Sequence, residues 1–159
     1  MQRFEPKNPG YRAVATATFD LQPAMRTLGI SLARLEAGEV DLSMPYSPAL
    51  TQQNGFVHAG IITAGLDNAC GIAAFTLMPA DSDILTVEFK TNLLAPARGE
   101  RFIFRARVVK PGRTLTVCEA GAYAESNGVE TLIATMTGTL MALTRRGHTD
   151  PGAEAGAAA

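Results

Sequence analysis

One long apolar run, from Ala59 to Met78, limits more than any other stretch what this chain can fold into. Its only charged residue is Asp67, near the middle, and glycines and polar residues interrupt it. The run has about the 20 residues that a membrane-spanning helix needs, but these interruptions argue against that interpretation. We predict a helix that a sheet of the same protein covers on nearly all sides. Because burying an unpaired carboxylate is costly, Asp67 is the first candidate for a functional residue.

The composition indicates one globular domain with a real core. The chain has 159 residues, of which 47% are hydrophobic and 18% are charged. Its net charge of −1 does not favour nucleic acid or an anionic membrane as the main partner. The N-terminus lacks the apolar segment of a signal peptide, so we expect a cytoplasmic protein in which Cys70 and Cys118 stay reduced. His58 and His148 are the only histidines, so no metal site is expected.

The pattern of the remaining segments predicts an α+β fold. Residues 11–28 have helical spacing that Pro23 divides, and two alternating runs, 30–35 and 40–46, predict a hairpin. Four strand-like runs follow the apolar helix, at 84–94, 101–109, 114–125 and 129–143. Short, turn-like connections predict that strands adjacent in sequence pair antiparallel. An antiparallel sheet wrapped around a long central helix satisfies all of these features.

Three parts of the chain follow from this reading. Residues 1–18 form a partly helical N-terminal extension, residues 19–144 the domain, and residues 145–159, rich in glycine and alanine, a disordered tail.

Within the first strand after the central helix, strict alternation puts Leu85 and Phe89 on one face and Thr86 on the other.

The spacing along the central helix separates its two candidate functional regions. Asp67 lies nine residues after His58, which corresponds to about 13.5 Å along a helix axis and to opposite faces. One chain therefore cannot hold a small reacting group between them. Two copies packed antiparallel about a twofold axis would bring Asp67 of one chain to the helix start of the other, giving two shared sites per dimer.

The start of the central helix offers the second half of a chemical site. The first backbone N–H groups of a helix lack internal partners and carry partial positive charge. Gly55 and Gly60 allow a ligand to approach this backbone closely. Such donors can hold a developing oxyanion, while a facing carboxylate activates water or attacks directly. Together these parts predict acyl transfer to water.

Several motifs carry a resemblance to a known family. In chain order they are Asn54-Gly55-Phe56-Val57-His58-Ala59-Gly60, Asp67-Asn68-Ala69, Leu85-Thr86-Val87-Glu88-Phe89, Asn92-Leu93-Leu94-Ala95-Pro96-Ala97, Gly99-Glu100 and Lys110-Pro111-Gly112-Arg113-Thr114. With this combined spacing, residues 20–143 resemble the PaaI-like hotdog-fold acyl-CoA thioesterases. The resemblance implies the hotdog fold, a homodimer that joins two sheets, and often a homotetramer of two dimers.

The resemblance also implies roles for residues at the helix. Asp67 becomes the general base or nucleophile, and the backbone at Ala59 and Gly60 of the other subunit becomes the oxyanion donor. His58 helps to fix that loop. The family usually reads His-Gly-Gly, so the side chain of Ala59 narrows the space at the carbonyl.

Other candidates surround these residues. Gln52 stands where some relatives hold the water with an asparagine, and Thr86 where some carry a serine. The loop of Asn54, Gly55 and Phe56 is expected to contact the substrate. Four basic residues near predicted strand ends could meet the phosphates of coenzyme A, and of Arg98, Arg101, Lys110 and Arg113 we take the last two as substrate-binding candidates.

The predicted function is hydrolysis of acyl-CoA thioesters, with no cofactor other than the coenzyme A of the substrate. The acyl group stays open between aryl-acyl and medium-chain acyl groups. One alternative is a non-catalytic acyl-CoA-binding module. Another is the enoyl-CoA hydratase branch of the fold, which pairs an aspartate with a histidine five residues later. Here that position holds Ile72, which argues against a hydratase.

Overall fold

A six-stranded antiparallel sheet and one long helix, α3, form the framework of the protein. The computed structural model describes residues 4–144, so the predicted tail at 145–159 lies outside the described residues. The helices are α1 (Tyr11–Asp20), α2 (Pro23–Leu28) and α3 (Ala59–Phe75), with a 3-10 turn at Pro48–Leu50. The strands are β1 (Ser31–Glu36), β2 (Glu39–Pro45), β3 (Ser82–Leu93), β4 (Arg101–Lys110), β5 (Leu115–Ser126) and β6 (Val129–Thr144).

The sheet wraps around α3, which confirms the predicted α+β architecture. Most α3 residues from Leu66 to Phe75 are buried, and the described part of the chain has no helix long and apolar enough to cross a membrane. The helix lies close to the sheet at Gly65, because a Cβ there would come within 2.5 Å of the Phe104 ring. Glycine at this position therefore sets how near α3 packs on β4.

The strand order is β1-β2-β4-β5-β6-β3, and it corrects one prediction. β3 was expected to pair with β4, the next strand in sequence, but it pairs with β6 at one edge of the sheet. The connection from β3 to β4 crosses over instead of turning back. Leu94 and Ala95 donate N–H bonds of 2.8 and 3.2 Å to the carbonyl oxygen of Ile133, which holds the crossing in place. A short connection limits the distance between the two strands that it joins, but it does not require these two strands to pair with each other.

A β-bulge at Val87 corrects the predicted faces of β3. Thr86 pairs with Leu140 and Glu88 with Thr139, so two steps on β3 oppose one step on β6. The extra residue shifts the alternation: Thr86 and Phe89 both pair with buried, core-facing residues of β6, while Leu85 pairs with Met141 on the other face. Leu85 and Phe89 therefore lie on opposite faces, contrary to the prediction.

The N-terminal helices pack against the core. Pro23 occupies the first turn of α2, and Gly29, with φ of 69°, ends this helix in the left-handed conformation. Ala15 and Phe19 of α1 are buried in the same core as α3. The predicted boundary between residues 18 and 19 falls inside α1.

Candidate active site

Asp67 and Thr86 form one part of the site. The Thr86 hydroxyl donates a hydrogen bond of 2.9 Å to Oδ1 of Asp67, across the gap between α3 and β3. Partial burial raises the pKa of the Asp67 carboxyl above its usual range, and the bond from Thr86 lowers this pKa by a smaller amount. Thr86 pairs with buried Leu140, and the bulge at Val87 lets Phe89 lie on the same, core-facing side of β3. The site thus holds a carboxylate with raised basicity and a donor that orients it.

His58 organises the start of α3. Its backbone is extended, with φ of −61° and ψ of 137°, and its side chain caps the helix by accepting the N–H of Gly60 at Nδ1, at 2.9 Å. Because Nδ1 accepts, a neutral His58 carries its proton on Nε2. A Cβ at position 60 would lie 3.1 Å from Nδ1. Gly60 therefore leaves room for the ring above the helix start.

Ala59 supplies the open backbone donor of this helix start. The N–H of Gly60 is engaged by His58, and the N–H groups of Ile61 and Ile62 both bond to the carbonyl oxygen of His58, at 2.9 and 3.2 Å. Among the hydrogen bonds of residues 4–144, none uses the N–H of Ala59. Of the two predicted oxyanion donors, the N–H of Ala59 is available, whereas the N–H of Gly60 is bonded to the His58 side chain.

A cavity of about 360 Å³ lies beside this open donor. Gln52, Gln53 and His58 line its polar side, together with the backbone of Ala59. Its other walls are mainly apolar: Phe56, Val57, Ile62, Leu93, Ala95, Pro96, Ala97 and Ile133. Sequence reasoning missed Ile133 and the crossing residues at 95–97, because their position depends on the crossover of β3 to the edge of the sheet.

The predicted substrate loop is a tight turn. The N–H of Gln52 donates to the carbonyl oxygen of Phe56 at 2.8 Å, and the N–H of Gly55 donates to that of Gln52 at 2.9 Å. The side-chain oxygen of Gln52 accepts the N–H of Asn54. Gly55 has φ of 81°, a conformation that favours glycine. The side-chain NH₂ of Gln52 therefore remains for a water or ligand.

A second cavity of about 450 Å³ adjoins the first one, and Phe56 lines both. Asn54, Gly55 and Arg98 lie on its wall, together with Tyr46, Gly99 and Ser126. Two of the predicted substrate-binding residues are thus placed in this second cavity, and Phe56 contributes to both.

Lys110 and Arg113 lie elsewhere. Lys110 is the last residue of β4, and Arg113 precedes Thr114, whose carbonyl oxygen accepts the N–H of Ala142 at 2.9 Å. Ala142 pairs with Ile84, so this region is at the end of the sheet beyond Thr86. Neither residue lines the cavities at the helix start.

The two parts of the site do not meet within one chain. α3 is continuous from Ala59 to Phe75, so Asp67 lies eight residues, or about 12 Å, along the axis from Ala59. Asp67 does not line the cavity at the helix start. One chain thus presents a carboxylate in one place and a backbone donor in another.

Comparisons with known proteins show the family of this chain. A sequence profile described as the thioesterase superfamily matches residues 54–131. The crystal structure of a thioesterase family protein from Silicibacter pomeroyi is 59% identical, covers 85% of this chain and 99% of its own, and superposes with a TM-score of 0.84. The chain belongs to the thioesterase superfamily. A 32%-identical protein of Saccharolobus solfataricus, named only as a candidate esterase, aligns with 70% of this chain and 72% of its own.

Three further proteins extend the comparison. A second Saccharolobus solfataricus protein named as a candidate esterase is 34% identical, and this chain spans 65% of its length. A medium/long-chain acyl-CoA thioesterase of Escherichia coli is 25% identical over 75% of this chain and 84% of its own. The PaaI protein of Escherichia coli, at 16% identity, covers 84% of this chain and 93% of its own with a TM-score of 0.73. That likeness shows the hotdog fold.

Proposed function

We propose that this member of the thioesterase superfamily hydrolyses acyl-CoA thioesters to the free acid and coenzyme A. The observation that carries the proposal is the pairing of a half-buried Asp67, held by Thr86, with an unused N–H at Ala59 beside an apolar cavity. The first group supplies a base, the second an electrophilic donor, and the cavity a place for an acyl group.

In the proposed reaction, water attacks the thioester and coenzyme A leaves. Ionised Asp67 takes a proton from water, whose oxygen attacks the thioester carbonyl carbon. The carbonyl oxygen becomes an oxyanion and accepts the N–H of Ala59 from a second copy. Collapse of this intermediate breaks the carbon–sulfur bond and releases coenzyme A as a thiolate, which takes up the proton. Direct attack by Asp67 is the alternative route, through an anhydride that water then hydrolyses.

A second copy of the chain completes the site in this proposal. β3 is an edge strand, and several of its large apolar side chains are about half exposed: Leu85 at 53%, Val87 at 52%, Phe89 at 46% and Leu93 at 59%. An unpaired edge with such side chains favours pairing with another strand. Twofold pairing along β3 would place Asp67 of each chain near Ala59 of the other.

The acyl group is proposed to occupy the cavity at the helix start. Its walls are mainly apolar, and the side-chain methyl of Ala59 narrows its polar end relative to a glycine. The relative in Escherichia coli is named for medium- and long-chain acyl groups. Aryl-acyl and medium-chain acyl-CoA esters are therefore the substrates to test first.

Release of free thiol from a panel of acyl-CoA esters tests the proposal. Asp67→Asn keeps the shape of the side chain and removes its charge, so we expect the rate to fall about 10²- to 10⁴-fold. Asp81→Asn, at an exposed position before β3, is the matched control and should retain full activity. A wild-type protein that binds coenzyme A but releases no thiol from any ester would instead be a binding module, and full activity in Asp67→Asn would exclude this mechanism.

A further inference from the structure

The second cavity at the helix start, which Arg98 lines, differs in charge from a cavity on the outer face of the sheet that contains three arginines. Arg98 is exposed on its wall, and among residues 4–144 its guanidinium has no hydrogen bond or ion pair. The lining contains no acidic side chain, and Asn54, Tyr46 and Ser126 add neutral hydrogen-bonding groups. An anion entering this cavity would therefore meet a free cation and no repelling carboxylate.

The larger cavity on the outer face of the sheet provides the contrast. It has a volume of about 540 Å³ and contains three arginines. Each of them is already engaged by a carboxylate, in the pairs Arg34–Glu39 at 2.8 Å, Arg105–Glu130 at 2.6 Å and Arg107–Glu119 at 2.5 Å. An anion there would have to displace a carboxylate, so three cations do not make this face an anion site.

The backbone that carries Arg98 is held firmly on both sides. The carbonyl oxygen of Ala97 accepts the N–H of Val57 at 3.0 Å, which ties this connection to the helix start. On the other side, Glu100 donates its N–H to the carbonyl oxygen of Glu125 at 2.8 Å. A Cβ at Gly99 would lie 2.8 Å from that same oxygen, so glycine permits this close approach. A ligand that binds Arg98 therefore has only the side chain to order, which limits the entropic cost of binding.

Arg98 is also close to the reacting centre in the proposed function. Val57, whose N–H bonds to Ala97, precedes Ala59 by two residues, so Arg98 is within about 16 Å of Ala59 by backbone steps. The pantetheine arm of coenzyme A can span this distance in an extended or folded shape. Within one chain, Lys110 and Arg113 lie toward the Thr86 end of the sheet, and neither of them lines a cavity at the helix start.

We propose that Arg98 binds the phosphates of coenzyme A, in the cavity that adjoins the helix start across Phe56. This assignment rests on the proposed acyl-CoA substrate. It gives the phosphates to Arg98 instead of Lys110 and Arg113, because Arg98 lines the cavity at the helix start and the other two do not. The thioester lies at Ala59, the acyl group occupies the apolar cavity, and the nucleotide end leaves past Asn54 and Arg98.

Calorimetric titration of full-length protein with three ligands tests this assignment. Coenzyme A carries the pyrophosphate and the 3′-phosphate, dephospho-coenzyme A lacks the 3′-phosphate, and pantetheine lacks all phosphates. In Arg98→Gln we expect the affinity for coenzyme A to fall about tenfold, as for the loss of a charge-assisted hydrogen bond, with pantetheine unaffected. Lys7→Gln, at an exposed position before α1, is the control and should bind coenzyme A as the wild type does. A larger loss in Lys110→Gln or Arg113→Gln than in Arg98→Gln would overturn the assignment. Added salt should weaken coenzyme A binding more in the wild type than in Arg98→Gln.

The pattern across the ligands separates the outcomes. An equal loss for coenzyme A and dephospho-coenzyme A supports a pyrophosphate contact, and a loss for coenzyme A alone supports a 3′-phosphate contact. Unchanged coenzyme A affinity in Arg98→Gln, or an equal loss for pantetheine, overturns the assignment. So does a wild-type protein that binds coenzyme A no better than pantetheine. Because no turnover is needed, a lack of thiol release would overturn the proposed function while leaving this measurement decisive for Arg98.

Discussion

At the scale of single residues, His58 and Ala59 have different roles at the start of α3. His58 uses Nδ1 to cap Gly60, which leaves the N–H of Ala59 as the open donor. The side chain at position 59 is therefore less important to the proposed chemistry than its backbone nitrogen. This distinction can be tested, because proline removes a backbone N–H and is tolerated at the first position of a helix.

Ala59→Pro should remove the proposed oxyanion donor with little effect on the fold. Ala59 is the first residue of α3, and the extended backbone of His58 is the conformation that a residue before proline prefers. We expect kcat to fall about 10²- to 10³-fold, as for the loss of one oxyanion donor. Thermal unfolding should show a midpoint close to that of the wild type.

Two substitutions that keep the N–H serve as controls for this experiment. Ala59→Gly restores the His-Gly-Gly pattern, and Ala59→Val adds bulk. If the donor is what matters, kcat should stay near the wild-type value in Ala59→Gly and fall less in Ala59→Val than in the proline variant. A proline variant with wild-type kcat would remove Ala59 from the mechanism.

The hydrogen bond from Thr86 should appear in the pH dependence of the reaction. Asp67 acts as a base only when ionised, so kcat/KM should decline as pH falls through its raised pKa. Thr86→Val has nearly the same shape and removes a bond that stabilises the carboxylate. The pKa of Asp67 should then rise further, and the acidic limb of the profile should move to higher pH. Thr137→Val, at an exposed position of β6, should leave the profile in place, and an unmoved profile in Thr86→Val would mean that the bond does not affect the reacting state.

At the scale of elements, α3 carries two glycines with opposite roles. Gly65 faces the ring of Phe104, whereas a Cβ at Gly71 would meet no atom within 4 Å. Both glycines weaken the helix intrinsically. Only one of them is required by packing.

Gly65→Ala should destabilise the protein, and Gly71→Ala should not. The added methyl at position 65 forces a shift of a fully buried ring, at a cost of about 1–3 kcal/mol that exceeds the gain in helix propensity. At position 71 the same change should stabilise the protein by about 0.5–1 kcal/mol. Urea unfolding of both variants measures the difference, and equal effects would show that α3 is not tightly seated on β4.

The sequence predicts some elements better than others. Its apolar run, Ala59 to Met78, locates α3 with an end three residues too late, because burial on nearly all sides leaves a long run with a single charged residue. Strict alternation locates β4 and β5 almost as closely. The face of β3 is wrong beyond Thr86, because a bulge shifts the alternation without changing the residue types around it.

The sequence predicts the candidate residues and the separation of Asp67 from the helix start, but it does not predict the contacts around them. Asp67, Thr86, His58 and Ala59 are all identified before the fold is known. The engagement of Gly60 by His58, and the placement of Ile133 beside the helix start, depend on contacts between segments distant in sequence or on side-chain rotation. Such contacts leave no periodic pattern to read.

At the scale of the whole molecule, the separation of Asp67 from Ala59 makes the dimer the proposed catalytic unit. Each chain would give a carboxylate to one site and a backbone donor to the other. The proposal predicts an asymmetric outcome when two different defects are combined in one dimer. One site then carries both defects, and the other carries none.

Heterodimers of Asp67→Asn and Ala59→Pro should recover about half of the wild-type activity per dimer. Co-expression with two affinity tags and sequential purification gives dimers of verified composition. Dimers of either variant with itself, carrying the same tags, are the matched controls and should stay inactive. Verified heterodimers with no more activity than these controls would place both groups in a site formed by one chain.

The bulge at Val87 has a consequence for how relatives of this protein are compared. Because one extra residue lets Thr86 and Phe89, three positions apart, share the core-facing side of β3, a homologue that lacks this residue cannot hold both positions on that side. A gap of one position at 87 would look like a harmless length change in a sequence alignment. It would in fact move one of these two positions to the other face, so we expect lineages with and without the gap to differ in which β3 residues face α3.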